Sequence, residues 1–143
     1  MMRRADWKKQ IDDVTNWILT AGYTLRIYTG ADDQVDFDMK EVHINSRLRP
    51  ENRFYTMLHE YGHIEISVKA AKQFESDHPM YVRSGAFLGA MSQAARVSVV
   101  AEEFEAWRRG RTRARKEGLF IDDKKYDKQI TQYMMAYIDW AAR

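Results

Sequence analysis

Trp7, Ile11, Val14 and Ile18 recur at intervals of four, three and four residues, with Trp17 beside them, and the run stops at Gly22. That spacing lines one face of a helix, and the glycine suits its end. From Tyr23 to Thr29 the period shortens to two, with Leu25 and Ile27 alternating with polar neighbours, which predicts a strand. Gly30-Ala31-Asp32-Asp33 has the residues of a turn, Val35 and Phe37 predict a second short strand, and Val42-His43-Ile44-Asn45 a third. Pro50 suits the first turn of a helix, where its missing amide would have had no partner, and the run from Glu51 to about Ile66 is long enough to be that helix. Val68 to Met80 is charged and less periodic, and reads as a helix end followed by a loop turning at Asp77-His78-Pro79. A second long helix is expected from about Ser92 to Glu117, closed by Gly118. Asp122 or Asp123 would cap a last helix with Tyr126, Ile130, Tyr133, Met134, Tyr137 and Ile138 on its apolar face. Helix, small sheet, then helices is the order of an α+β fold.

Composition adds limits. A chain of 143 residues fits one domain spanning 1–143, and 45% apolar residues with two prolines argue for a packed globule. The absence of cysteine excludes a disulfide framework, a thiolate metal site and a cysteine nucleophile, so any metal must sit on His, Asp and Glu. The charged start, Met-Met-Arg-Arg-Ala-Asp-Trp-Lys-Lys, has no apolar signal core behind it, which makes the cytoplasm the expected location. The longest weakly polar run, between Arg83 and Arg96, is far shorter than the roughly 20 residues of a membrane span and is expected as a buried helix.

Residues 59–63 read His-Glu-Tyr-Gly-His, an H-E-x-x-H motif inside the predicted helix 51–66. Side chains four apart on a helix lie one turn above each other, about 5–6 Å between Cβ atoms, so His59 and His63 can converge on one divalent cation. Zinc is the ion this donor set suits. Held by neutral ligands with one position open, it lowers the pKa of a water to about 7, and Glu60 can take the proton as that water attacks a peptide carbonyl.

Such a site needs a third protein ligand. The metzincin extension would place Gly at 66 and His at 69, where Ile66 and Lys69 stand, so that branch is excluded. With only two other histidines, a carboxylate from the second long helix is the natural candidate. Glu103 has Val99, Val100, Ala106 and Trp107 at three and four residues and so falls inside the apolar stripe, where an ionised carboxylate is costly unless paired or metal-bound. Glu102, with Ser98 and Glu105 as neighbours, reads as more peripheral and is the second candidate. Gly62, mid-helix, costs about 1 kcal/mol relative to alanine, and room for the approach of the second helix would offset that.

His59-Glu60-Tyr61-Gly62-His63 followed by Glu103-x-x-Ala106 resembles the compact gluzincin-type zinc metallopeptidases, including the ImmA/IrrE-type proteins and small zincin-like proteins of phages and mobile elements. The resemblance covers roughly residues 40–110. It implies a zincin-like fold with a short N-terminal helix, a small sheet, an active-site helix and a glutamate-bearing helix. It also implies an edge strand guiding an extended substrate, which would correspond here to Val42–Asn45. Where the ImmA/IrrE pattern has Asn, this chain has Trp107.

His43 and His78 are possible donors to a developing oxyanion, although a surface or turn position is the commoner fate of a histidine. Tyr61 reads as core. Arg108, Arg109, Arg111, Arg113, Arg115 and Lys116 against Glu117 form a basic segment that suits a helix end or phosphate contact. Two functions follow as expectations. One is a zinc metallopeptidase acting on a protein or peptide; the other is a zincin-fold binding or regulatory module, with nucleic acid as a partner of segment 108–116.

Overall fold

The structure is a computed structural model that describes residues 5–80 and 91–143. Asp6 caps the first helix, α1 (Trp7–Thr20), by accepting the Lys9 amide at 3.1 Å. Gly22, at φ +91°, then turns the chain out of the helix in a conformation that side chains disfavour. Val14 and Ile18, on the inner face read from the sequence, have no exposed surface.

Three strands follow: β1 (Thr24–Tyr28), β2 (Gln34–Asp36) and β3 (Glu41–Asn45). Their order is β1-β3-β2, with β3 parallel to β1 and antiparallel to β2. Val42–Asn45 is therefore the central strand, and the expectation that it forms the edge is corrected. Burial gives the reason. Val42 and Ile44 are wholly buried, whereas Ile27 and Tyr28 of β1 are exposed, so the strand with most to cover takes the middle place.

Helix α2 (Pro50–Glu65) begins with Pro50 in its first turn and is buried at every residue from Phe54 to Ile64. α1, the sheet and the later helices pack against it. Tyr55 ties it to a distant segment: its hydroxyl donates to Glu51 Oε2 at 2.7 Å and accepts the Asp122 amide at 3.0 Å.

Beyond α2 the chain stays helical where a loop was expected, through a π-helical turn (Ile66–Ala70) and a short helix α3 (Ala71–Asp77). Phe74 accounts for this. It is buried with Ile66 and Ala106 in a small satellite cluster, a tertiary contact that outweighs the weak local periodicity. The turn expected at His78-Pro79 does end the helix. Of the apolar run expected as a buried helix between Arg83 and Arg96, residues 83–90 lie outside the described residues.

Ser92 caps α4 (Gln93–Lys116), accepting the Ala95 amide at 3.1 Å, and Gly118 at φ +75° closes it. Asp122 caps α5 (Asp123–Ala142), accepting from Lys125. Tyr126 and Met134 are buried, and Ile130, Tyr133 and Tyr137 pack on the core, as expected, but Ile138 is exposed and Ala141 is buried in its place. One apolar cluster runs from Val14 to Met134, so helices from both ends of the chain share a core. Among the described residues no helix is long and apolar enough to cross a membrane.

Candidate metal centre

Glycine brings α2 and α4 into contact. A Cβ added to Gly62 would lie 1.9 Å from the Ala106 carbonyl oxygen, and one added to Gly110 would lie 2.3 Å from that of Leu58. Both distances are impossible for a side-chain carbon, so backbone meets backbone at two points about one turn apart along each helix. The expectation for Gly62 is thus met, and Gly110 adds a contact that its place in an arginine run concealed.

This close approach brings Glu103 of α4 to the two histidines of α2. Glu103 Oε2 lies 2.7 Å from His59 Nε2 and 3.0 Å from His63 Nε2, and the two Nε2 atoms are 3.1 Å apart. Three donor atoms therefore share one focus. Ligands at about 2.0–2.1 Å from a tetrahedral zinc stand roughly 3.3 Å from one another, so the edges of the triangle need to open by about 0.2–0.6 Å to admit the ion, most of it between His59 and Glu103. Two imidazoles and a carboxylate are a donor set that zinc takes, and on this geometry the residues fit the metal.

Glu60 also falls within ligand reach of both histidines, the three groups' ligand atoms lying within 4.8 Å of one another. Its Oε1 nevertheless faces His59 Nδ1, at 3.1 Å, whereas Glu103 meets both rings at Nε2. The shared focus belongs to Glu103. Glu102, expected to be peripheral, is buried, and its Oε1 lies 3.0 Å from His63 Nδ1. Trp107 stacks on His59 with ring centroids 4.2 Å apart and planes 6° from parallel.

Charge and burial oppose each other here. Burial pushes the His63 pKa down, but Glu103 and the hydrogen bond to Glu102 more than reverse it, and the ring titrates well above the usual histidine value. His59 is raised in the same way, against burial, by Glu60 and Glu103. Burial also favours the neutral form of Glu103, yet the two imidazoles hold its carboxyl far below the usual carboxylate range.

Two tyrosines of α5 complete the surroundings. Tyr133 sets its ring edge-on to His59 at 4.8 Å, and its hydroxyl is 3.4 Å from that of Tyr137. Burial, with the charges of Glu103 and Glu60, pushes the Tyr133 phenol up, and burial and Glu103 raise Tyr137 to about 12. Both stay protonated at neutral pH. Their place on an apolar face hid them in the sequence; the available signal was two hydroxyls one turn apart on a stripe that otherwise holds Tyr126, Ile130, Met134 and Ile138. Asp33, before β2, was also missed. Its carboxyl is raised by burial, opposed by the Asn45 amide and helped by Glu60.

The other residues singled out from the sequence lie elsewhere. His43 Nδ1 is 3.0 Å from the Tyr28 hydroxyl, and His78 stacks on Phe74. Tyr61 is core, packed on Trp17, with its hydroxyl accepting from Arg113 at 3.0 Å. Each arginine of the basic segment meets an acid: Arg108 and Arg109 meet Glu105, Arg111 meets Asp127, Arg113 meets Glu117 and Arg115 meets Asp123. A groove of about 730 Å³, lined by Phe74, Phe104, Arg108 and Ile130 among others, includes none of His59, Glu60, His63, Glu102 and Glu103.

The fold and site define an α+β protein with a His-Glu-His cluster able to hold a metal. No family model matches the chain, and no curated protein or solved structure matches it.

Proposed function

We propose that this protein is a zinc-dependent metallopeptidase of the zincin type, in which His59, His63 and Glu103 hold the ion and Glu60 is the general base. The observation that carries the reading is the meeting of His59 Nε2, His63 Nε2 and Glu103 Oε2 within 3.1 Å of one another, from an H-E-x-x-H helix and a second helix. When bound, zinc supplies a Lewis acid that lowers the pKa of a water to about 7 and polarises a carbonyl. Glu60 accepts the proton of the attacking water and passes it to the departing amine. Tyr133 and Tyr137, kept protonated, donate to the carbonyl oxygen as charge develops on it. The substrate is a protein or peptide.

Glu60→Gln tests this. The variant is expected to bind zinc as the parent does and to lose about 10²–10⁴-fold in hydrolysis of an unfolded protein substrate, the usual contribution of a general base. Zinc retention with undiminished hydrolysis would refute the role.

Burial favours a second reading. His59 is 1% and Glu60 2% exposed, and closed metal sites are commonly structural whereas catalytic ones keep a position open. On that view the chain is a zincin-fold binding or regulatory module. Contact of segment 108–116 with nucleic acid would then require its arginines to exchange their present carboxylates for phosphates. A zinc-loaded parent that hydrolyses no peptide bond supports this reading over the first.

A further inference from the structure

We infer that Glu102 is a positioning residue, which accepts the Nδ1–H of His63 and so leaves Nε2 as the nitrogen offered to the ion. The inference rests on the reading of His59, His63 and Glu103 as ligands, and assigns a role to the neighbouring acid that the reading leaves idle.

A neutral imidazole carries one N–H and one lone pair, and only the lone pair can bind a metal. A carboxylate accepts hydrogen bonds and donates none, so a carboxylate set at one ring nitrogen fixes the proton there. Glu102 Oε1 lies 3.0 Å from His63 Nδ1, and Glu103 Oε2 lies 3.0 Å from His63 Nε2. Adjacent residues of α4 thus grip opposite ends of one ring, which sets its plane as well as its tautomer. All three side chains are buried, so water competes little for these contacts.

His59 is held by other means. Its ring is sandwiched by packing, with Trp107 stacked on it and Tyr133 edge-on. The carboxylate near its Nδ1 belongs to Glu60, the residue needed for proton transfer. Among the described residues no Trp, Tyr or Phe ring stacks on His63, and the Glu102 hydrogen bond supplies the orientation that packing gives His59.

The test measures zinc affinity by competition with a chromophoric chelator in the full-length parent, Glu102→Ala and Glu102→Gln, and reads the His63 tautomer from long-range ¹⁵N–¹H correlations of the zinc-loaded proteins. In the parent, His63 should carry its proton on Nδ1 and bind zinc through Nε2. Glu102→Ala should bind zinc about 10–100-fold more weakly, the usual effect of removing an outer hydrogen-bond partner. Glu102→Gln, whose amide oxygen still accepts, should recover most of that loss, and it keeps the test decisive if the alanine variant does not fold. Parental affinity in Glu102→Ala, or zinc on Nδ1 of His63, overturns the inference while leaving the metal centre standing. Loss of zinc in Glu102→Gln but not in Glu103→Gln overturns it too, by making Glu102 the ligand. A parent that takes up no zinc removes the metal centre, and this role with it.

Discussion

His63 stands between two carboxylates, and its protonation is where solution conditions act most directly on the site. In the metal-free chain its pKa is raised well above 6.5, against burial, by Glu103 and Glu102. A base raised on folding contributes stability that is fully present below its unfolded pKa and is lost as the pH rises through the folded one. Glu103, depressed on folding by the imidazoles despite burial, contributes stability present above 4.5 and lost only in strong acid. The two contributions overlap most fully between about pH 4.5 and 6.5. Denaturant unfolding of metal-free protein should therefore show falling stability above that window as His63 gives up its proton. With zinc the slope should reverse, because the ion needs the ring neutral and its uptake releases protons. A metal-free chain that gains stability from pH 6 to pH 9 would contradict this account of His63.

The approach of α4 to α2 is what makes two separate helices into one site. Gly62 faces the Ala106 backbone, and Ala106 lies one turn beyond Glu102 and Glu103, so a shift at the glycine moves the acids. Gly62→Ala gains about 1 kcal/mol of helix propensity but places a carbon 1.9 Å from a backbone oxygen. Overpacking of this kind costs about 1–3 kcal/mol, and the variant is expected to unfold at lower denaturant and to bind zinc more weakly. Equal or higher stability would mean that the helices can separate without cost. The elements themselves were largely legible in the sequence. Pro50, Ser92, Gly118 and Asp122 act locally through φ and capping bonds, and each marks a boundary within a residue or so of where it was read. α3 was not legible, because the cluster that buries Phe74 includes Ala106, from a helix distant in sequence. The central place of β3 was hidden for the same reason, since strand order depends on neighbours that alternation within a strand does not name.

For the whole molecule, charges that look lopsided along the chain are balanced in space. The arginines of 108–115 meet Glu65, Glu105, Glu117, Asp123 and Asp127 from three helices, which a linear reading of a basic run could not show. The site was legible in part. His59, Glu60 and His63 lie within one helical turn, so spacing alone brought them together, and Glu103 followed from an acid in an apolar stripe. Glu102, Tyr133 and Tyr137 depend on how α4 and α5 lie against α2, and periodicity placed them on faces without saying what those faces meet. The account rests on those helices forming one cation site. Zinc stoichiometry by elemental analysis of the purified protein and of His59→Ala, His63→Ala and Glu103→Ala tests it most directly. One zinc per chain in the parent, and loss of tightly held zinc in each variant, is the predicted result; a parent without zinc after loading, or variants that keep it in full, would contradict the account.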